Sequence, residues 1–171
     1  QEYEDVEISV GDNIRGFTAE LLTNSPEVVS VAVQSPTGES QPLIPARQGS
    51  SEEYRFLLEG TTVSISYSLG EFTRERELIF LRFTNPSKGI WRLRVYPENY
   101  VTSRYHIWLP VTEFVQGDLF FLRSNPETTI TGPASAYAPI SVGGFNASDD
   151  SLYLDSGRGY NIDNQVKPDF L

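Results

Sequence analysis

Strict alternation of apolar and polar residues runs through the first 114 positions, and it confines the chain to strands with one face in a core and the other in water. Val6, Ile8 and Val10 alternate with Glu7 and Ser9; Phe17, Ala19 and Leu21 with Thr18 and Glu20; Val29, Val31 and Val33 with Ser30 and Ala32. The same period recurs at Tyr54, Phe56 and Leu58, at Val63, Ile65, Tyr67 and Leu69, at Trp91, Leu93 and Val95, and at Tyr105, Ile107 and Leu109. Leu78 to Phe83 is apolar on both faces, which predicts a central strand. Gly, Pro, Asn and Ser punctuate these runs, as in Ser35-Pro36-Thr37-Gly38, and no long helical period interrupts them. Seven to nine such strands predict an all-β fold, an antiparallel, jelly-roll-like β-sandwich.

The pattern changes near residue 124. From Asn125 the sequence is rich in Gly, Asp, Asn and Pro, with one short apolar strand expected around Ile140 to Val142. The expected organisation is a sandwich over 1–124 and an irregular, strand-bearing extension over 125–171. So few apolar positions do not offset the entropy of ordering the extension, so it should lean on the sandwich or be loose, like a segment borrowed from a larger fold.

A formal charge of −10, from 23 acidic and 13 basic residues, opposes binding to nucleic acid or anionic lipid, which requires concentrated Lys and Arg. The acidic residues are scattered, as solvated surface is. With no Cys there is no disulfide framework or thiolate chemistry, and the apolar runs are too short to span a bilayer. A chain that opens on Gln1 and has no Met is expected to be an excised piece of a longer protein.

Catalytic chemistry finds little to work with. The single histidine, His106, sits in a strand on the same face as Trp108 and opposite Ile107, which suits packing better than proton transfer. Neither G-x-S-x-G nor S-x-x-K occurs, and Ser156, in Asp155-Ser156-Gly157-Arg158-Gly159, has no base beside it. Gly157 and Gly159 flank Arg158 as in a turn, without the spacing of a phosphate cradle. Asp149-Asp150 and Asp163-Asn164 lack calcium-loop spacing. A glycosidase would need two facing carboxylates, and Glu20, Glu53, Glu59 and Glu77 are the candidates, all expected on polar faces. No catalytic, cofactor-binding or metal-ligating residue is assigned.

The extension carries a resemblance. Gly132-Pro133-Ala134, followed by Tyr137-Ala138-Pro139-Ile140-Ser141-Val142-Gly143-Gly144, resembles the subtilase segment in which a Pro-Ala turn leads into a buried core strand. Asp155-Ser156-Gly157-Arg158-Gly159 and Lys167-Pro168-Asp169 resemble the S-S-R-G and K-P-D stretches of the same serine proteases. In the sandwich, Ser35-Pro36-Thr37-Gly38 and Gly89-Ile90-Trp91-Arg92-Leu93-Arg94-Val95 are similar to the S-P-x-G and G-x-W-x-L-x-V patterns of jelly-roll modules attached to proteases, such as the proprotein convertase P domain.

Together these resemble the domain inserted within the catalytic core of clostridial and Bacteroides subtilases, including those related to germination proteases. The resemblance implies a non-catalytic domain of a serine endopeptidase, with the Asp and His motifs before it and the Ser motif after it. Its implied partners are the rest of the protease core and a prodomain, and its implied setting is a secreted, cell-surface or spore-associated bacterial protein. A free-standing carbohydrate-binding module is the competing expectation, and a glycosidase the third.

Overall fold

The computed structural model describes residues 2–24, 28–69, 76–97, 104–161 and 164–171. The chain forms two compact units, Gln1–Arg123 and Ser124–Leu171. The first is built from strands β1 (Glu4–Val10), β2 (Gly16–Asn24), β3 (Val29–Gln34), β4 (Ser51–Phe56), β5 (Thr61–Leu69), β6 (Arg76–Thr84), β7 (Gly89–Pro97), β8 (Tyr105–Trp108) and β9 (Leu119–Phe121). A single 3-10 turn, Thr112–Phe114, precedes β9. No helix among the described residues is long and apolar enough to cross a membrane.

Two antiparallel sheets result, one ordered β3-β7-β1-β9 and the other β4-β5-β6-β2-β8. Only the β4–β5–β6 meander stays within one sheet; every other connection passes from one sheet to the other, so each sheet depends on the other for its order. Ile8, Val10, Phe17, Leu21, Val31, Val63, Leu93 and Val95 lie in the shared core, as the alternation predicts, joined by Ile79 and Leu81 of the doubly apolar segment. β6 is the middle strand of its sheet, with Leu78 and Phe80 half-buried on its other face.

The sheets meet through aromatic rings. Trp91 of β7 stands edge-on to Phe56 of β4 and Phe83 of β6, with centroids 5.1 and 5.5 Å away, the geometry that suits aromatic quadrupoles. The Tyr67 hydroxyl donates to Ile44 O at 2.8 Å and accepts from Val31 N–H at 3.1 Å, so an aromatic side chain of β5 hydrogen-bonds the other sheet's edge strand.

Three expectations are corrected. Leu58 is 76% exposed, because β4 ends at Phe56 and Leu57–Gly60 form the turn into β5. Ser30 and Ala32, expected on a wet face of β3, are buried; the segment around Ile44 folds over that strand, with Ile44 N–H bonded to Val31 O and Ala46 N–H to Ser30 Oγ. That cover also blunts an exposed sheet edge. Glu77, expected on a polar face, is only 3% exposed. Period two puts it on the same side of β6 as Ile79 and Leu81, and its carboxylate accepts from Val29 N–H at 2.9 Å and Thr23 Oγ1 at 3.3 Å, joining the two sheets. The Leu69 side chain lies outside the described set.

The two motif segments of the sandwich meet at one end. Gly38 closes the Ser35 turn with a positive φ of 97° and donates to Ser35 O at 3.0 Å. Glu39, just after that turn, accepts from Leu57 N–H and Leu58 N–H at 3.1 and 3.2 Å, while Glu59 accepts from Thr37 N–H and its hydroxyl. Each turn thus caps the other with a carboxylate. Burial works to raise the Glu59 pKa, but hydrogen bonds from Ser35 and Thr37 outweigh it and leave the carboxyl below its usual value.

Among its described residues the second unit forms only two-residue strand pairs, β10 (Phe145–Asn146) with β11 (Ser151–Leu152) and β12 (Gly159–Tyr160) with β13 (Val166–Lys167). The strand expected at Ile140 to Val142 is reduced to a parallel bridge between Val142 and Phe170.

Candidate functional site

His106 lies on β8 opposite Leu22, on the outer face of its sheet, while Ile107 packs on the core. Burial lowers its pKa, so it is neutral at pH 7. An unfolded chain therefore binds a proton on this ring before the folded one does, and stability falls as pH drops below the unfolded value of about 6.5. His106→Gln is expected to lose less of its urea midpoint than the parent between pH 7.5 and 5.5; equal losses would show that the ring has no part in the acid response.

Ser156 is committed to structure. Its Oγ accepts from Gly144 N–H at 2.9 Å, and its own N–H bonds Tyr153 O. Gly157 and Gly159 serve close backbone approach: a Cβ on Gly159, whose φ is +106°, would lie 1.4 Å from Glu127 O. Thr129 N–H reaches Arg158 O and Tyr160 N–H reaches Glu127 O, both at 2.9 Å, so this segment is stitched to another strand-like stretch and leaves no cradle for phosphate.

The four carboxylates considered for glycoside cleavage do not converge. Glu20 and Glu53 share the outer face of the five-stranded sheet but stand on β2 and β4, three strand spacings or ~14 Å apart, beyond the 5–9.5 Å that catalysis requires. Glu59 and Glu77 occupy opposite ends of the sandwich. Asp149 and Asp150 sit in the exposed β10–β11 turn, where Asp149 Oδ1 accepts from Ser151 Oγ. Asp163 lies outside the described residues. Among those described, no group of three acidic or imidazole side chains could hold a metal.

The arrangement that sequence reasoning left without a role is the Lys167-Pro168-Asp169 segment. Lys167 is 4% exposed, and its ammonium donates to Pro139 O at 2.9 Å and Asp169 Oδ2 at 2.7 Å. The same Oδ2 accepts from Ser141 N–H at 2.7 Å and Ser141 Oγ at 2.9 Å. The Lys167 hydrogen bond first, then those from Ser141, hold the Asp169 carboxyl down at about 2. Asp169 N–H returns to Ser141 O, and Gly143 N–H to Phe170 O, so the charged cluster fixes the two stretches side by side. A buried Lys tied to a carbonyl and a carboxylate clamps backbone.

Apolar surface surrounds that clamp. Ile140, Val142, Phe170 and Leu171 are 64–75% exposed. The second unit buries a single large apolar residue, Ile130, among those described.

Fold and site together define an all-β sandwich with a core-poor appended unit. No protein-family model and no curated protein match this chain. Among solved structures it is similar to the CspB protease of Clostridium perfringens, with 27% sequence identity and a TM-score of 0.79 over 99% of this chain. That match covers 36% of the protease, so this chain spans about a third of its length. The likeness supports a protease-related domain.

Proposed function

We propose that this chain is a non-catalytic segment of a subtilisin-like serine endopeptidase, with 1–124 an accessory sandwich inserted in the catalytic core and 125–171 the resumption of that core. The observation that carries this reading is the exposure of Ile140 and Val142, at 75% and 71%, in the stretch that resembles a buried subtilase strand. An apolar strand left open to water is unfavourable by about 25 cal/mol per Å² and calls for a covering surface. The remainder of a protease core would supply it, and the similarity to a longer protease supports the same view. The sandwich then contributes stability or contacts with a prodomain, while the triad comes from elsewhere in the protein.

The test is the coding sequence on both sides. Asp and H-G-T motifs upstream and a G-T-S motif downstream are expected, and replacing that serine in the full protein should abolish peptide hydrolysis, whereas His106→Ala and Ser156→Ala should leave the chemistry intact. Flanks without those motifs would refute the reading. Carbohydrate binding is the weaker alternative, since among the described residues the exposed sandwich aromatics Tyr3, Phe114 and Phe120 lie in three separate segments, and Tyr3 is already covered by Arg94 at 4.9 Å.

A further inference from the structure

Four turns meet at the end of the sandwich where β1 finishes and β2 begins: 11–15, 57–60, 85–88 and 115–118, all of them within the described residues. Hydrogen bonds tie them together. Asn85 N–H donates to Arg15 O at 2.8 Å, Gly11 N–H to Asp118 O at 2.7 Å, and Thr61 Oγ1 to Asn85 O at 2.9 Å. Gly117 packs so close that a Cβ there would lie 2.7 Å from Asp12 O. Between these turns is a depression of about 360 Å³, lined by the buried Ile14 and Pro86 and by the exposed Asn13, Arg15, Asn85 and Gln116.

The polar groups of this end fall into two sets. Lys88 is matched by Asp12 at 2.6 Å, and the carboxylates of Glu39 and Glu59 are taken up by the turns they cap. Around the depression, by contrast, Arg15 has no carboxylate partner, and the carboxamides of Asn13, Asn85 and Gln116 accept and donate nothing within the chain, among the described residues. No acidic side chain lines it either. A guanidinium fork matches a carboxylate, and a carboxamide, donor and acceptor at once, matches a peptide group. The lining has no aromatic ring on which a sugar could stack, and a net charge of −10 holds off polyphosphates and nucleic acid.

A separate observation at the same end also asks for a ligand. Leu57 and Leu58 are 79% and 76% exposed, yet their turn is fixed, because both of their N–H groups donate to the Glu39 carboxylate. An apolar pair held in place costs little ordering on binding. The turn joins β4 and β5, and β5 lies beside β6, from which Asn85 leads, so pair and depression are separated by one to two strand spacings of about 4.8 Å. An extended chain covers that distance in about two to three residues.

We infer that this end of the sandwich is a docking surface for an extended polypeptide segment, whose Asp or Glu side chain seats on Arg15 in the depression and whose apolar neighbour lies against Leu57 and Leu58. The three carboxamides take the peptide groups between. This does not depend on the protease reading.

The test is amide NMR titration of the isotopically labelled chain with three capped peptides, acetyl-Leu-Gly-Glu-Gly-Leu-amide, the same peptide with Gln for Glu, and acetyl-Gly-Gly-Glu-Gly-Gly-amide. Saturable shifts at Ile14, Gln116 and Leu58 are expected with the first, and both others should bind more weakly, the Gln peptide by about tenfold. Arg15→Gln should weaken the first peptide to the level of its Gln counterpart, whereas Arg82→Gln, on the outer face of β6, should not. Asn85→Gly removes a carboxamide where the backbone, at φ +50°, already suits glycine, and it should also weaken binding. Leu57→Ser with Leu58→Ser should bring the leucine peptide down to the affinity of the glycine one. Equal binding of the Glu and Gln peptides, an unchanged affinity in Arg15→Gln, no advantage of leucine over glycine, or no saturable shift with any peptide would overturn the inference.

Discussion

Trp91→Ala is expected to remove about 3–5 kcal/mol of folding stability, the range for deleting a fully buried large aromatic, out of the 5–15 kcal/mol typical of a domain. Trp91 has no exposed surface and supplies the rings' meeting point between the sheets, edge-on to both Phe56 and Phe83. Its indole N–H also donates to Ser87 O at 2.9 Å, and Ser87 N–H in turn reaches Thr61 Oγ1, so truncation leaves a cavity and loosens the turn into β7. With urea slopes of about 1–3 kcal/mol per M, the midpoint should fall by roughly 2 M. Trp91→Phe keeps an aromatic ring and should lose distinctly less. A midpoint shift below about 0.5 M would mean that the sheets are held together elsewhere.

The second large effect concerns the two units taken separately. Residues 1–123, expressed alone, should unfold cooperatively with dispersed amide resonances, because their buried cluster draws on both sheets. Residues 124–171 alone should give the narrow amide dispersion of an unfolded chain. That unit buries Ile130 together with the polar Ser141, Asn161 and Lys167, while Tyr137, Ile140, Val142, Phe145, Tyr153, Leu154, Tyr160, Val166, Phe170 and Leu171 stand exposed. A buried clamp of Lys167 and Asp169 does not replace hydrophobic burial, since desolvating the charges offsets much of their attraction. Ordering each residue costs about 1–2 kcal/mol of backbone entropy, which the sparse apolar burial among the described residues does not meet. Cooperative folding of 124–171 in isolation would contradict this and would also remove the main support for its being part of a larger core.

Much of the sandwich was legible in the sequence. Strand geometry sends successive side chains to opposite faces, so alternation reports burial directly, and Val31, Ile65, Val63 and Leu93 all fell where it put them. Glu77 shows the limit of that kind of reading. Its charge suggested water, but its place in the period, two residues before Ile79, set it inside, where only a backbone N–H from the other sheet could show why it is tolerated.

By itself, then, the sequence determined the sandwich strands up to β8, most core-facing residues and the change of character near residue 124, because these follow from local periodicity and composition, but not the short β9. Tertiary structure alone decided which strands are neighbours, that Glu39 and Glu59 cap each other's turns, that Asp169 and Lys167 clamp Ser141 and Pro139, and that Ile140 and Val142 lie open. Those features depend on groups brought together from distant positions, and no local period encodes such distances.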